Sequence, residues 1–289
     1  MKPHLLKVPL GPEYSFSIRH DVVPYFYNHW HYHPEIELIH ILKGSGTQFL
    51  GDSIGHFKPD DMILVGANLT HMWRNDEPYF SKNSGLKSEA IVIHFAPDFM
   101  GRPFLELLES KALLNLLERA KQGICISGKT RAIVRDLMQK MFKLQGMDRI
   151  IHLLMILNQI AVSRDTVLIS SKGFHINNGE AETNKIDRIY QYVMNHFKEK
   201  ITLEQIAARV NISPKSFCRY FKSRTRKTFS GFLMEVRIGH ACKLLNEENM
   251  SISEICYESG FNNISNFNRY FKLLTNTTPL HYQKAQQKM

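Results

Sequence analysis

At 289 residues, with 43% hydrophobic and 22% charged side chains, the chain is long enough for two domains and has the make-up of an ordinary soluble protein. Its net charge of +10 is unevenly placed: residues 184–289 hold 17 Lys/Arg against 8 Asp/Glu, the rest of the chain 20 against 19. The last third therefore carries the excess, which fits a polyanionic partner. Four cysteines without CxxC spacing argue against a disulfide framework or a zinc site.

The N-terminal stretch MKPHLLKVPLGPEYSF lacks the uninterrupted apolar core of a signal peptide. The most apolar run, Ile150 to Val162, is short and interrupted by His152, Asn158 and Gln159, so no bilayer span is expected. A cytoplasmic protein without membrane association follows.

Up to about residue 98, proline and glycine punctuate short β-rich runs: Glu35 to Leu42, Thr47 to Leu50, Met62 to Val65 and Ala90 to Phe95. Such runs suggest a small β-barrel or sandwich. Within them stands His31-x-His33-x3-Glu37-x6-Gly44, followed by His71-x3-Asn75. His31, His33 and Glu37 share parity and would face one way on a strand. His33 and Glu37 would lie about 13 Å apart on a straight strand, so shared ligation needs a bend, which Pro34 can supply.

Aromatics crowd the neighbourhood, and Trp73 shares the face of His71, as a small-molecule pocket would require. The pocket expected here is lined by His31, His33, Glu37, Gln48, His71 and Trp73. The spaced histidines and glutamate resemble the two cupin motifs, the second less closely than the first. They are similar to the effector-binding barrel at the N-terminus of AraC-type regulators. The resemblance implies a small-molecule effector such as a sugar. In metal-binding cupins the corresponding residues, here His31, His33, Glu37 and His71, hold one transition ion; His and carboxylate suit Zn, Fe, Mn or Ni. No cofactor is required, and a polar barrel mouth without metal is the alternative.

From Pro103 the period becomes helical. Phe104, Leu107, Leu108, Leu113, Leu114 and Leu117 form one run, and Ile133, Val134, Leu137, Met138 and Met141 a second. The third, Ile150 to Val162, is apolar almost all round and must be buried against the barrel or a second subunit. Residues 99–165 are read as this helical packing and dimerisation region. Residues 166–184, ending in the polar HINNGEAETN, are read as a linker.

The remainder, 185–289, contains one unit twice. Phe217-Cys218-Arg219-Tyr220-Phe221-Lys222 anticipates Phe267-Asn268-Arg269-Tyr270-Phe271-Lys272, with Ile206 answering Ile255, Thr225 answering Thr275 and Thr228 answering Thr278. The second copy has one extra residue, expected in a turn. In the first copy Thr202 caps a helix, Asn211-Ile212 turns, and Ser213-Pro214 opens the next helix. In the second, Ser251 or Ser253 opens a helix, Gly260 stops it, and Phe261-Asn262-Asn263 leads onward. The phenylalanines four apart pack inward. Lys215, Ser216, Arg219 and Lys222 then face out on one helix, and Asn263, Ser265, Asn268, Arg269 and Lys272 on the other; such side chains meet base edges and phosphates.

A long helix, Phe229 to Asn246, spans roughly 27 Å, near the ~34 Å between successive major-groove faces. These are two helix-turn-helix units. The runs LEQIAARVNISPKSFCRYFK, RIGHACKLL, ISEICYESGFNNISNFNRYFK and TTPLHYQK resemble the DNA-binding domain of AraC/XylS-type transcription regulators. Asn276 and Gln283 depart from the family's usual Gly and Arg; Asn tolerates the left-handed conformation.

The expected architecture is α+β in two domains: a cupin-like barrel (1–98) with accessory helices, and an all-α tandem helix-turn-helix domain. The expected function is a non-enzymatic transcription regulator that binds promoter or operator DNA as a homodimer. By the resemblance it would act as an activator with RNA polymerase as partner. The rivals are a metal-dependent cupin enzyme and an architectural DNA-binding protein.

Overall fold

A computed structural model describes residues 15–81, 83–172, 180–247 and 250–286. The start of the expected barrel (1–14), the middle of the expected linker (173–179) and the last three residues lie outside the described residues. The chain divides into two compact units, one drawn mainly from residues 3–177 and the other mainly from 178–289.

The first unit runs through β1 (Phe16–Val23), β2 (Ile36–Lys43), β3 (Gly46–Leu50), β4 (Ser53–Phe57), β5 (Met62–Val65), β6 (His71–Asn75) and β7 (Ser88–Phe95). It continues through α1 (Arg102–Leu105), α2 (Lys111–Ala120), β8 (Ile124–Ile126), α3 (Gly128–Met141), α4 (Gly146–Ala161) and β9 (Thr166–Leu168). Six strands form a sheet in the order β1-β7-β2-β5-β8-β9, and three more form a second sheet, β4-β3-β6. Among the described residues the strands do not close into a barrel, so the expected cupin-like barrel is replaced by two sheets and a helical layer.

Alternation along β2 shows how the layers are made. Ile36 and Leu38 join Met62, Leu64, Ile91 and Ile93 in a core shared with Leu116, Val134, Met138 and Ile156 of the helices. Ile39 and Ile41 point the other way, into a core with Leu50, Phe57 and Trp73 of the smaller sheet. Both faces of the large sheet are covered, which is why β2 reads as a nearly continuous apolar run.

Two expectations about boundaries change. β8 pairs antiparallel with β5 and with β9, so strands from the expected helical region and the expected linker complete the large sheet. After β9 the chain stays tied down: the Ser170 N–H donates to Gln122 O at 2.8 Å and the Ser171 N–H to Asp52 Oδ1 at 2.9 Å. The stretch 166–172 is thus part of the first unit, and the helix that opens the second begins at Glu180. On α4, Leu153, Ile156, Leu157 and Ile160 are buried, whereas Met147, Ile151 and Met155, with Val162 just past its end, are exposed. That helix is apolar on both sides, and among the described residues only one of them is covered.

The second unit is helical: α5 (Glu180–His196), α6 (Leu203–Arg209), α7 (Pro214–Thr225), α8 (Phe229–Glu247), α9 (Ile252–Glu258), α10 (Ile264–Thr275) and α11 (Pro279–Gln286). One stripe of α5, Ile186, Ile189, Tyr190 and Val193, is buried, and Tyr190 meets Phe232 of α8 edge-on at 4.7 Å. α8 serves two cores. Phe229 and Phe232 pack on Phe221 of α7, and Ile238, Ala241, Leu244 and Leu245 pack with Phe267 and Phe271 of α10. Among the described residues no helix is long and apolar enough to cross a membrane.

Candidate functional site

Each half of the second unit is a short helix, a tight turn and a second helix. Thr202 caps α6 and Ser251 caps α9, both through complete capping boxes: the side chains accept from Gln205 N and Glu254 N at 3.2 Å, and the N3 side chains return to the cap N–H at 2.8 Å. Of the two serines offered by the sequence, Ser251 is the cap. The first turn passes through Asn211 (φ 55°) and the second through Gly260 (φ 81°), and Ile212 N and Phe261 N then bond back to Ala207 O and Cys256 O. Ser213 caps α7 with Pro214 in its first turn, and Asn263 caps α10. The capping pairs are 49 residues apart before the turn and 50 after it, so Asn262 is the inserted residue and it lies in the turn.

The helix ends match as well. Thr225 and Thr275 hydroxyls donate to Phe221 O and Phe271 O at 2.8 and 2.7 Å, and Arg226 and Asn276 follow in the left-handed region at φ 58° and 59°. Thr228 and Thr278 then accept from Gly231 N and His281 N to start α8 and α11. With Phe217, Phe221, Phe267 and Phe271 wholly buried, the opposite faces of α7 and α10 are turned to solvent. Lys215, Arg219 and Lys222 are exposed on α7, with Ser216 half-buried; Ser265, Asn268, Arg269 and Lys272 are exposed on α10.

A second constellation is buried in the first unit. His31 forms a bridge with His71, the first residue of β6, and the chain bends at Pro34 and Glu35 before β2 starts. The bend brings His33 Nε2 to 3.5 Å from Glu37 Oε2, with His71 Nε2 at 4.0 Å from the same oxygen. His94 of β7, opposite Glu37 in the β2–β7 ladder, brings its Nε2 to 2.9 Å. The sequence reading missed His94, because its place depends on strand register and not on local spacing.

The tautomers are fixed from outside the cluster. Nδ1 of His31, His33 and His71 donates to the carbonyls of His29, Glu35 and Leu69 at 2.8, 3.0 and 2.7 Å. A carbonyl only accepts, so each Nδ1 carries the proton and each Nε2 is left as a donor atom for something else. Burial pushes the His31 imidazole down to about 4 and, with His31 adding to it, holds His71 well below its ordinary value. Burial also disfavours the charge on Glu37, but the His33 ring at 3.5 Å and the hydrogen bond with His94 hold its carboxyl well below the usual carboxylate range. His33 moves the other way: burial opposes its charge, and the Glu37 carboxylate beside it outweighs burial and raises the ring.

The donor atoms of His31, His33 and His71 lie within 4.8 Å of one another, as do those of His33, Glu37 and His94. Nε2 of His33 and of His71 has no hydrogen-bond partner. Backbone-anchored imidazoles with unpartnered, converging nitrogens beside a carboxylate fit a transition metal ion.

A family profile described as "Helix-turn-helix domain" matches residues 206–285. The C-terminal unit is an AraC-type helix-turn-helix domain. An "Uncharacterized HTH-type transcriptional regulator YdeC" of Bacillus subtilis (strain 168) is 26% identical over 287 residues, 94% of this chain and 90% of that protein. An "Uncharacterized HTH-type transcriptional regulator in cgkA 5'region" of Pseudoalteromonas carrageenovora is 36% identical over 94 residues, covering 32% of this chain and 55% of that relative's length. Among solved structures, the DNA-binding domain of AdpA, a global transcriptional factor in complex with a target DNA, is 25% identical. It covers 35% of this chain and 90% of that one, with a TM-score of 0.34.

Within the AraC-type domain, eight of the nine residues expected at DNA have side chains on the outer faces of α7 and α10. Asn263 is also exposed, but its carboxamide oxygen accepts from Asn266 N at 3.0 Å, so its side chain is committed in part to capping α10. The expected effector residues fare differently. His31, His33, Glu37, His71 and Trp73 are buried, and Gln48 is half-buried opposite Trp73 in the β3–β6 ladder. Trp73 packs edge-on against Phe57 at 5.7 Å, as part of the core between the sheets. Asn75 is structural: it accepts from Phe26 N at 2.7 Å and donates to Ser88 Oγ at 2.8 Å. A cavity of about 430 Å³ is lined by Asp21, Val23, Phe26 and the exposed Tyr25 and Tyr27 among others, and Tyr27 meets the His31 ring edge-on at 4.9 Å.

Proposed function

We infer that the chain is a sequence-specific DNA-binding transcription regulator. The observation that carries this reading is the duplication. Two capped helix-turn-helix units stand on one long shared helix, each turning a basic face outward, the second with asparagines added, in the part of the chain that holds the positive excess. Arg219 and Arg269 are the side chains assigned to base edges, and Lys215, Lys222 and Lys272 to phosphates.

In this reading the first unit is the sensor. The tyrosine-bearing cavity has the size of a small-molecule site, and aromatic faces suit a sugar or another ligand with an apolar side. A ligand that binds one arrangement of the protein better shifts the population toward or away from the DNA-competent form. The exposed row Met147, Ile151 and Met155 repeats along α4 at helical spacing and, with Val162 just past its end, supports pairing of two copies through that helix. As an activator the bound dimer would contact RNA polymerase. A metal ion in the buried cluster would be held by His31, His33, Glu37 and His71, and would supply a fixed positive centre.

Selection of duplexes from a random pool, followed by titration of the full-length protein at fixed salt, tests the reading. Selected and scrambled sites should differ by about 10³ or more in affinity. Binding of all sequences within about tenfold would instead establish an architectural DNA-binding protein. Mass measurement in solution, with Met155→Glu as the comparison, tests the dimer.

A further inference from the structure

α8 joins the two helix-turn-helix units, and its middle is thinly supported. Its first half packs through Phe229 and Phe232 on Phe221 of α7, and its second half through Ile238, Ala241 and Leu245 with Phe267 and Phe271 of α10. At the changeover stands Gly239, where a Cβ would meet nothing within 4 Å. No close approach demands a glycine there, and a glycine inside a helix leaves its backbone freer to bend. α8 alone would hold the interval between α7 and α10 loosely.

α5 makes a second connection. Its middle belongs to the first helix-turn-helix unit: Tyr190 meets Phe232 edge-on at 4.7 Å, and the Arg209 guanidinium of α6 lies 4.5 Å over the Tyr192 ring. Its end belongs to the other one. Phe197, just past α5 and 7% exposed, packs edge-on against His240 of α8 at 5.0 Å. The turn at Gly260 comes so close that a Cβ there would stand 2.7 Å from Phe197 O. Lys198 also pairs with Glu258 of α9 at 3.5 Å, an exposed contact of little weight.

Arg237, two residues before Gly239 on α8, makes the joint. Its Nε donates to Phe197 O and its Nη2 to Glu199 O, both at 2.8 Å, and its guanidinium carbon lies 5.8 Å over the Phe261 ring. Phe261 in turn packs edge-on against Phe267 of α10 at 5.3 Å. One planar fork thus holds two carbonyls at the C-terminal end of a helix, where a cation is favoured, together with the aromatic that leads into α10.

We propose that α5 is a strut across the two helix-turn-helix units and that Arg237 is the positioning residue that fixes the interval at which α7 and α10 meet DNA. This rests on the DNA-binding reading and adds that the protein accepts one spacing of its two half-motifs and rejects others.

The experiment titrates full-length protein onto a selected site and onto the same site with one base pair added between its half-motifs. The half-motifs are located by the positions at which Arg219→Ala and Arg269→Ala each lose preference. One added base pair moves a half-motif by about 3.4 Å and turns it by roughly 35°. Wild type should bind the lengthened site weaker by about tenfold or more. Arg237→Met keeps an apolar stem against Phe261 and removes both donors; its affinities for the two sites should differ by less than about threefold. A residue that only stabilises the fold would lower both affinities together and leave their ratio unchanged.

Far-UV circular dichroism checks that Arg237→Met is folded. Should it not be, Arg237→Lys carries the test: it keeps the charge but lacks the fork, and its ratio should fall by at least about threefold. A wild-type ratio in the folded variant would overturn the role of Arg237. Tolerance of the added base pair by wild type would overturn the fixed interval itself. Absence of any sequence preference in wild type would instead fall on the regulator reading beneath both.

Discussion

The two halves of the AraC-type domain reach the same outline with different side chains. In the first, the turn is made by Asn211, an exposed residue that can hold a positive φ with its side chain in water. In the second it is made by Gly260, and a Cβ there would stand 2.7 Å from Phe197 O and 2.8 Å from Lys198 Cα. The second turn is wedged against the end of α5, where Arg237 of α8 also donates to Phe197 O and Glu199 O at 2.8 Å. One turn is a surface feature and the other is a packing contact. Duplication has preserved the caps and the aromatic pairs and left each turn to answer its own surroundings.

The largest effects should come from what the halves share. Phe217→Ala and Phe267→Ala each empty a wholly buried site, and each should cost about 3–5 kcal/mol. Far-UV circular dichroism in urea would show the helical transition moving to lower denaturant. Tryptophan fluorescence, which reports the other unit, should stay put in both variants; movement of that signal would mean that the two units unfold together.

The turns should then separate the halves. Gly260→Ala combines an unfavourable φ with a clash against backbone and should cost about 1–3 kcal/mol. Asn211→Gly, at the open turn, should change stability by no more than about 0.5 kcal/mol. Equal costs at the two turns would remove the distinction drawn between them.

On DNA the halves should diverge in place and agree in size. Arg219→Ala and Arg269→Ala should each lower affinity for a selected site by about 1–3 kcal/mol, roughly 5- to 150-fold. Each should relax sequence preference in its own half of the site. Loss of preference at the same base pairs in both variants would contradict one chain presenting two reading helices.

How much could be read from the sequence differs between the units for the same physical reason. In the C-terminal unit the decisive interactions are local: Thr202 with Gln205, Ser251 with Glu254, Thr275 with Phe271. All lie within four residues, so spacing reveals them. Even the departure at Asn276 was interpretable, since it takes the left-handed φ that a glycine would supply. In the N-terminal unit β2, β3, β5 and β7 were legible as apolar runs bounded by turns, and the bend at Pro34 could be inferred from the distance between His33 and Glu37. Ile124–Ile126 was not, because a three-residue strand between two helices acquires its identity only by pairing with β5. His94 was lost in the same way, its role set by register against Glu37. The aromatic wall was legible as composition but not as position: Trp30 and Trp73 went to the core, and Tyr25 and Tyr27 to the cavity rim.

The smallest expected effect is the sharpest comparison. The capping boxes match in geometry but not in charge: the residue closing the first is Gln205, and the residue closing the second is Glu254. Thr202→Ala and Ser251→Ala should each cost about 1 kcal/mol at neutral pH. Bonds from the Ser251 N–H and hydroxyl lower the Glu254 carboxyl below its ordinary 4.5. A carboxyl depressed on folding binds protons less well in the native state, so its contribution is present above pH 4.5 and drains as pH falls through the lower, folded value. The cost of Ser251→Ala should therefore shrink in acid, while that of Thr202→Ala, opposite a neutral amide, should not change. Hydrogen exchange of the amides in α6 and α9, compared at neutral and acidic pH, reads the two helices in one sample. A first cap that weakens in acid as much as the second would show that something other than Glu254 titrates across this domain.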